Sequence, residues 1–431
     1  MKKIIYSMLF FFLVGNVIAQ QTPANKQTTD YSIEGATAHL GNGTIIENSL
    51  LMFSEGKIVF VGSNTMKIAR RGTIINAKGK HIYPGFIATN TTLGLVEISA
   101  VKASKDEDEV GINNPHIRSL IAYNAESKIV ESMRPNGVLM AQITPRGGTI
   151  SGTSSVVQLD AWNWEDAAIK VDDAIHMNWP SSFKSGKWWL GEDPALKPDD
   201  KYTKKIHKIK SYFTKAKNYL AVNTDKKHLP YQATQGLFKG SQKLFIHVNG
   251  QREITDAITI SKELGINNIV IVRGNEADKI TDLLVKNNVP VILDRPHRNP
   301  NNEDDAYDYT YTIAKTLIDK GVLVSIGMEG QMERMNTRNL PFYAGTFAAH
   351  GLDKEVALQL ITANAAKILG INNSVGTLEV GKDATLFISE GDALDMRTNI
   401  LTNAFIQGRQ ISLETHQTKL WKRYSNKYKT K

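Results

Sequence analysis

Two neutral oxygen donors lie near the end of a predicted buried strand early in the chain. Residues 82–95 begin with a Tyr-Pro-Gly turn and run through apolar residues into Asn90 and Thr92. Because strand side chains alternate between faces, we expect Asn90 and Thr92 to lie side by side, facing the same way as Ala88. Barrel enzymes carry their chemistry at this carboxyl end of the strand. An amide carbonyl and a hydroxyl suit calcium or magnesium better than zinc and bind weakly even there, so we predict that both residues contact substrate.

A glycine-rich stretch, residues 145–154, is the next candidate for ligand contact. Its backbone N–H groups could wrap an anion, but it lacks the Gly-Lys-Ser/Thr ending of a nucleotide-binding loop. We expect it to pack over a barrel mouth, where Arg146 could meet a substrate carboxylate.

The composition narrows the class of protein. The 431-residue chain has no cysteine, which excludes disulfides, thiolate metal ligands and cysteine nucleophiles. Two lysines, an apolar run over residues 4–14 and a small-residue end at Ala19 predict an export signal, residues 1–19, and a secreted or periplasmic protein. That run is short for a membrane span, although an uncleaved anchor is the alternative. The net charge is +9, and much of it lies in the tail from Lys419 to Lys431. We interpret this tail as a solvated end rather than a surface that binds anionic membranes, and we expect no nucleic-acid partner for an exported protein.

The order of elements predicts the fold. Residues 20–82 and 373–431 contain short strands with turn signals, and we expect the two ends to form one small β-sandwich. Residues 83–372 alternate strands and helices, with predicted helices at 253–264, 276–287, 306–320 and 353–369. We predict a (β/α)8 TIM barrel with an inserted helix near residues 200–228. A doubly wound sheet is the alternative.

Several segments resemble the amidohydrolase superfamily, most closely its imidazolonepropionase-like branch. They are the Gly-Lys-Ile-Val-Phe-Val-Gly hairpin at 56–62, Tyr-Pro-Gly-Phe-Ile at 83–87, Ile-Thr-Ala-Asn-Ala-Ala-Lys-Ile-Leu-Gly at 361–370 and Gly-Thr-Leu-Glu-Val-Gly-Lys-Asp-Ala at 376–384. The resemblance implies a barrel enzyme that hydrolyses carbon–nitrogen bonds with water activated by one or two divalent metals.

Position by position, most of the family's metal ligands are replaced. The aspartate of the first motif falls on Ala88, and its two histidines fall on Asn90 and Thr92. The fifth-strand histidine is kept as His247, while the sixth-strand histidine falls on Arg273. The catalytic aspartate of the last strand falls on Glu329, and the fourth-strand ligand has no clear match. The metal motif is therefore degenerate, and we predict no cofactor where the family implies a divalent metal.

The resemblance assigns catalytic roles to Glu329 and His247 and a substrate-binding role to Arg273. We hypothesise that Arg273 and Glu329 form an ion pair across the barrel mouth, with fixed charge in place of metal charge. For His247 the alternative is a core histidine bonded to the backbone.

Two functions remain open from the sequence. The first is hydrolysis of a carbon–nitrogen bond in a non-peptide amide, cyclic amide or dipeptide. The second is a non-catalytic relative that binds a ligand or pairs with an active paralogue. The expected partners are a small amide or peptide-like molecule and a homo- or hetero-oligomer with a related subunit. No membrane span is expected after signal cleavage.

Overall fold

The computed structural model describes residues 22–222, 226–301, 304–330 and 332–429. The predicted export signal, residues 1–19, lies outside these ranges.

The N-terminal part of the chain forms five strands. They are β1 (Tyr31–His39), β2 (Ile45–Ser54), β3 (Lys57–Ser63), β4 (Thr73–Asn76) and β5 (His81–Pro84). Glu55 and Gly56 join β2 to β3, and both have positive φ, at 48° and 79°. Two left-handed residues match the right-handed twist of a hairpin, which explains this tight turn.

The central part of the chain forms the barrel. Its strands are β6 (Phe86–Thr91), β7 (Val138–Ile143), β8 (Ile150–Gln158), β9 (Ala168–Asn178), β12 (Lys243–Val248), β13 (Ile269–Arg273), β14 (Val291–Leu293) and β15 (Val324–Ile326); the pair β10 (Phe183–Lys184) and β11 (Lys197–Pro198) forms a small separate hairpin. The barrel strands follow one another in this order, and a parallel bridge between Thr89 and Gly327 connects the last to the first. The predicted TIM barrel is confirmed.

One barrel strand departs from the regular pattern. Strand β8 is antiparallel to both β7 and β9, whereas the other barrel pairings are parallel. Only residues 144–149 separate β7 from β8, which is long enough for a hairpin but too short for a parallel crossover. The stretch predicted as a loop over 145–154 is therefore a loop only to Thr149, and its second half is the start of β8.

The described part of the chain contains thirteen α-helices, and α3 forms the predicted insertion. In chain order they are α1 (Lys128–Glu131), α2 (Trp164–Ala167), α3 (Tyr202–Ala221), α4 (Leu229–Gln232), α5 (Gln235–Lys239), α6 (Gln251–Glu263), α7 (Thr281–Lys286), α8 (Tyr309–Asp319), α9 (Glu333–Asn336), α10 (Leu340–Ala349), α11 (Lys354–Gln359), α12 (Ala363–Leu369) and α13 (His416–Tyr428). Within the described ranges, no helix combines the length and apolarity needed to cross a bilayer.

The helix predicted over residues 353–369 is two helices, α11 and α12. Thr362 leaves helical geometry at φ −131° and ψ −98°. At the same break the Ile361 carbonyl accepts a 2.9 Å hydrogen bond from the Ile87 N–H of β6. The interruption thus satisfies a backbone donor of the first barrel strand, which a continuous helix could not do.

The C-terminal strands close the second sheet. They are β16 (Leu386–Ser389), β17 (Leu401–Ile406) and β18 (Arg409–Gln410). Strand β16 pairs antiparallel with β5, so strands from both chain ends form one hydrogen-bonded sheet in the order β18-β17-β16-β5-β1-β2-β3. Apolar side chains from both ends, among them Ile33, Phe53 and Phe405, share its core. The predicted joining of the two ends is confirmed.

Candidate active site

The carboxyl ends of the barrel strands bring the predicted site residues together. Asn90 comes from β6, His247 from β12 and Arg273 from the last position of β13, while Glu329 follows β15. The strands are buried apolar segments whose parallel arrangement carries these ends to one edge of the barrel.

Glu329 is the centre of the cluster. Its Oε1 accepts a hydrogen bond from the Arg273 guanidinium. Its Oε2 accepts hydrogen bonds from Asn90 Nδ2 at 3.1 Å and from His247 Nδ1 at 3.2 Å. Burial alone would raise the pKa of the Glu329 carboxyl, but His247, Arg273 and Arg146 outweigh it and hold that pKa well below its usual value. The Arg273–Glu329 pair expected from the sequence is present.

Arg146 donates two hydrogen bonds to Asn90, the residue that also bonds to Glu329. Its Nη1 donates to Asn90 Oδ1 at 3.0 Å, and its Nη2 donates to the Asn90 carbonyl at 2.9 Å and the Met328 carbonyl at 3.3 Å. Its side chain is 19% exposed. The glycine-rich loop thus places a largely buried guanidinium beside the Glu329 cluster.

Thr92 does not lie beside Asn90 as predicted. Strand β6 ends at Thr91, and Asn90 has a φ of 55°, which interrupts the alternation of faces. The Thr92 N–H donates to Glu333 Oε1 at 2.7 Å, and the Thr91 hydroxyl donates to Glu333 Oε2 at 2.9 Å. Thr92 therefore orients Glu333, a buried carboxylate 4.0 Å from Arg146, rather than meeting Glu329.

Two residues of the cluster have backbone conformations that L-residues seldom adopt. Asn90 has a φ of 55° and Arg273 a φ of 77°. Such conformations cost on the order of 1–3 kcal/mol for a residue other than glycine and are frequent at functional sites. Here they bring both side chains onto Glu329.

His247 is bonded through its side chain and not to backbone. Its Nδ1 faces Glu329, and its Nε2 lies 3.0 Å from Nδ1 of His176, which is fully buried on β9. The alternative of a core histidine held by backbone is therefore wrong.

Three residues of the site were missed in the sequence. His176 and Glu333 are described above, and Asp294 directly follows β14. Burial and the charge of Glu329 raise the pKa of the Asp294 carboxyl to about 6, against the opposing charges of Arg273 and Arg298. The position of Asp294 after a buried apolar strand, like that of Glu329, was the available signal.

The residues present do not fit the metal centre that the superfamily resemblance implies. Within the described part of the chain, no group of three or more His, Cys, Asp or Glu side chains is arranged to hold a metal ion. Glu329 and His247 are already bonded to one another, and the permanently charged Arg273 occupies the other Glu329 oxygen. A cation would have to displace this guanidinium from its carboxylate.

The comparisons with known proteins agree with this architecture. Residues 210–412, a little under half of the chain, match the model of the amidohydrolase family. No curated protein gives a significant match. The structure of an amidohydrolase from Thermotoga maritima MSB8 is 23% identical with a TM-score of 0.74, covering 88% of this chain and 99% of that one.

More distant structures share the fold. A molinate hydrolase is 14% identical with a TM-score of 0.55, covering 90% of this chain and 96% of that one. A Xaa-Pro dipeptidase with bound methionine is 12% identical with a TM-score of 0.53, covering 88% and 99%. At these identities the structures establish the fold alone. The family match over residues 210–412 agrees with the amidohydrolase resemblance found in the sequence, and the structures agree with its fold.

Proposed function

We propose that this protein hydrolyses a carbon–nitrogen bond of a small amide, cyclic amide or dipeptide, with its own fixed charges in place of a metal. The observation that carries the proposal is a pair of carboxyls with opposite pKa shifts. Glu329 is held ionised, while the Asp294 pKa is raised to about 6. The low pKa of Glu329 suits a fixed anion that holds Arg273, whereas the raised pKa of Asp294 suits a group that takes up and releases a proton near neutral pH.

Asp294 is the proton carrier in this proposal. Ionised, it takes a proton from a water molecule as the water oxygen bonds to the substrate carbonyl carbon. When the carbon–nitrogen bond breaks, Asp294 returns that proton to the leaving nitrogen. The acyl product keeps the water oxygen, and Asp294 ends ionised as it began.

Arg273 supplies the electrostatic stabilisation. Its side chain is 34% exposed and holds Glu329 with Nη2, so its other N–H groups can meet the developing oxyanion. Glu329 and His247 then orient the guanidinium instead of acting on the substrate directly. Arg146 and Asn90 complete the wall of the site, and Arg146 offers positive charge for a substrate carboxylate.

The comparisons favour hydrolysis over the non-catalytic alternative. The family match covers β12 to β15, from which His247, Arg273, Asp294 and Glu329 come. The similar structures include a Xaa-Pro dipeptidase and a molinate hydrolase, which directs the substrate search to dipeptides and other small amides. The export signal over residues 1–19 would place the activity in the periplasm or outside the cell.

The test is a substrate panel with a matched pair of variants. Residues 20–431 are purified and assayed against dipeptides, N-acyl amino acids and lactams. On any substrate that is turned over, Asp294→Asn should lower kcat/KM by about 100-fold or more, the usual contribution of a general base. Asp282→Asn, on the exposed side of α7, should leave kcat/KM unchanged. Full activity in Asp294→Asn, or tight binding without turnover across the panel, would overturn the proposal.

A further inference from the structure

A continuous chain of buried side chains runs from Glu329 into the barrel interior. His247 Nε2 lies 3.0 Å from His176 Nδ1, and His176 Nε2 lies 2.9 Å from Ser154 Oγ. Ser154 Oγ lies 2.7 Å from Asp173 Oδ1. These four residues come from three adjacent strands, β12, β9 and β8, and each is at most 5% exposed. The proposed hydrolysis uses none of Asp173, Ser154 and His176.

Gln142 determines how the inner end of this chain is bonded. Its Oε1 accepts the backbone N–H of Asn90 at 3.1 Å, so its amide nitrogen must face inward. That nitrogen donates to Asp173 Oδ2 at 2.8 Å and to Ser154 Oγ at 3.2 Å. Asp173 Oδ1 is therefore the oxygen that shares a proton with Ser154.

At the outer end, the identity of the donor depends on Glu329. The Arg273 guanidinium keeps Glu329 ionised, so His247 must present N–H at Nδ1. If His247 is neutral, its Nε2 is an acceptor and His176 must donate from Nδ1. His176 Nε2 then accepts from the Ser154 hydroxyl, and Ser154 in turn accepts from a protonated Asp173.

Other placements use the same number of protons but separate more charge. If Asp173 is ionised instead, donor and acceptor exchange roles in each hydrogen bond from Asp173 to His247. His247 then carries two protons as an imidazolium. That arrangement puts a new anion and a new cation in a dry interior, at a cost of several kcal/mol. The neutral arrangement leaves Glu329 as the chain's single charge, and that charge is paired with Arg273.

We propose that Asp173 is protonated and that Ser154, His176 and His247 form a one-directional proton chain ending on Glu329. Asp173, Ser154 and His176 are positioning residues, because they act on Glu329 only through His247. The proton arrangement stands on these contacts alone and does not depend on the proposed hydrolysis.

The charged surroundings of the chain agree with this arrangement. Burial raises the pKa of the Asp173 carboxyl, against the opposing effects of Ser154, Gln142, Lys170 and Lys243. Burial lowers the pKa of His176 well below its usual value; His247 and Arg146 add to this, and Glu329 opposes it. Burial also lowers the pKa of His247. Glu329 opposes this effect, and the charges of Arg146 and Arg273 add to it. These directions agree with the neutral imidazoles and the protonated inner carboxyl that the hydrogen bonds require.

Nitrogen-15 NMR of histidine-labelled protein tests the arrangement without any substrate. His176→Gln and His247→Gln assign the two rings. We expect both rings to be neutral with the proton on Nδ1 between pH 6 and 8. An imidazolium at His247, or a proton on Nε2 of either ring, would overturn the proposal.

Two variants test the protonation of Asp173. Asparagine donates and accepts where a protonated aspartic acid does, so Asp173→Asn should keep both tautomers and move Tm by less than about 2 °C at pH 7. Asp172→Asn, at the neighbouring position outside the chain, is its control. Ser154→Ala should change the ring signals. Ser155→Ala should not, because Ser155 is a buried serine outside the chain whose Oγ accepts from the Asp172 N–H. Changed tautomers in Asp173→Asn would contradict the proposal. The expected tautomers in a protein that turns over no substrate would uphold the chain while refuting the hydrolysis.

Discussion

The guanidinium of Arg273 donates a hydrogen bond to Oε1 of Glu329, joining the end of β13 to the segment that follows β15. Glu329 is 11% exposed and also holds Asn90 and His247, so the pair organises the whole barrel mouth. A positive charge belonging to the protein is thus fixed where the superfamily resemblance implies a cation.

Removing the arginine should destabilise the fold. Arg273→Ala leaves the buried Glu329 carboxylate without its cation, and breaking a buried pair in this way typically costs about 3–5 kcal/mol. Because Arg273 is one-third exposed, we expect about 2 kcal/mol in the free energy of unfolding by urea. Glu329→Gln and the double variant complete a mutant cycle. Additive effects in the cycle would show that the two side chains do not interact.

Asp294 should make stability and activity depend on pH in opposite senses. Its pKa is about 6 when folded and about 4 when unfolded, so between these values only the folded state holds the proton. Wild-type stability therefore falls as pH rises from about 4 to 6, and Asp294→Asn removes that fall. Relative to the wild type, the variant should be more stable at pH 7.5 than at pH 4.5, measured by urea unfolding. An equal difference at both pH values would refute the raised pKa.

The same carboxyl sets the expected pH profile of turnover. Because the base must be ionised, kcat/KM should rise with pH through about 6 and then level off. A profile that falls through this range would assign Asp294 as the initial acid instead.

Substrate binding should depend on the forked shape of the Arg146 guanidinium and not only on its positive charge. It spans Asn90 and Met328 with two guanidinium nitrogens, a fork that lysine cannot reproduce. We expect Arg146→Lys to raise KM for a carboxylate-bearing substrate by about 10-fold, equivalent to roughly 1.4 kcal/mol. Lys215→Arg, on the exposed face of α3, is a control distant from the site. An unchanged KM would remove Arg146 from substrate binding.

A buried ion-pair group away from the mouth should contribute to stability alone. Asp160 is 2% exposed and accepts hydrogen bonds from Arg134 at 2.5 Å and Arg409 at 3.2 Å, which connects the segment after β8 to β18. Asp160→Asn removes the buried negative charge that both guanidinium groups contact, so we expect a loss of about 3 kcal/mol. The protein that remains folded should keep its kcat/KM. A loss below about 0.5 kcal/mol would contradict this account of the group.

The positions of the strand ends could be predicted from the sequence because they follow simple burial patterns. His247 and Arg273 end apolar segments that are buried on both faces, which is typical of parallel strands, so their positions at the barrel mouth could be predicted. The partners of these residues could not be predicted in the same way. His176 meets His247 only because β9 pairs with β12 in a particular register, which is a long-range property.

Local backbone conformation accounts for the other differences. The positive φ of Asn90 turns Thr92 away from Glu329, and nothing in an Asn-Thr-Thr sequence requires that conformation. The reversal of β8 follows from the short connection after β7, whereas the glycine-rich sequence there favours the prediction of a loop over the barrel mouth. The break between α11 and α12 serves a hydrogen bond to β6, and helical periodicity alone does not reveal it.

Metal analysis of the purified protein tests the central claim most directly. Residues 20–431 would be prepared without chelator, analysed by inductively coupled plasma mass spectrometry and melted with added zinc or EDTA. If fixed protein charge takes the place of a metal, we expect less than about 0.1 zinc, manganese or iron per chain. We also expect the same Tm with zinc and with EDTA, because a ligand that does not bind the native state cannot stabilise it. One metal ion per chain, with a Tm that falls in EDTA, would contradict it.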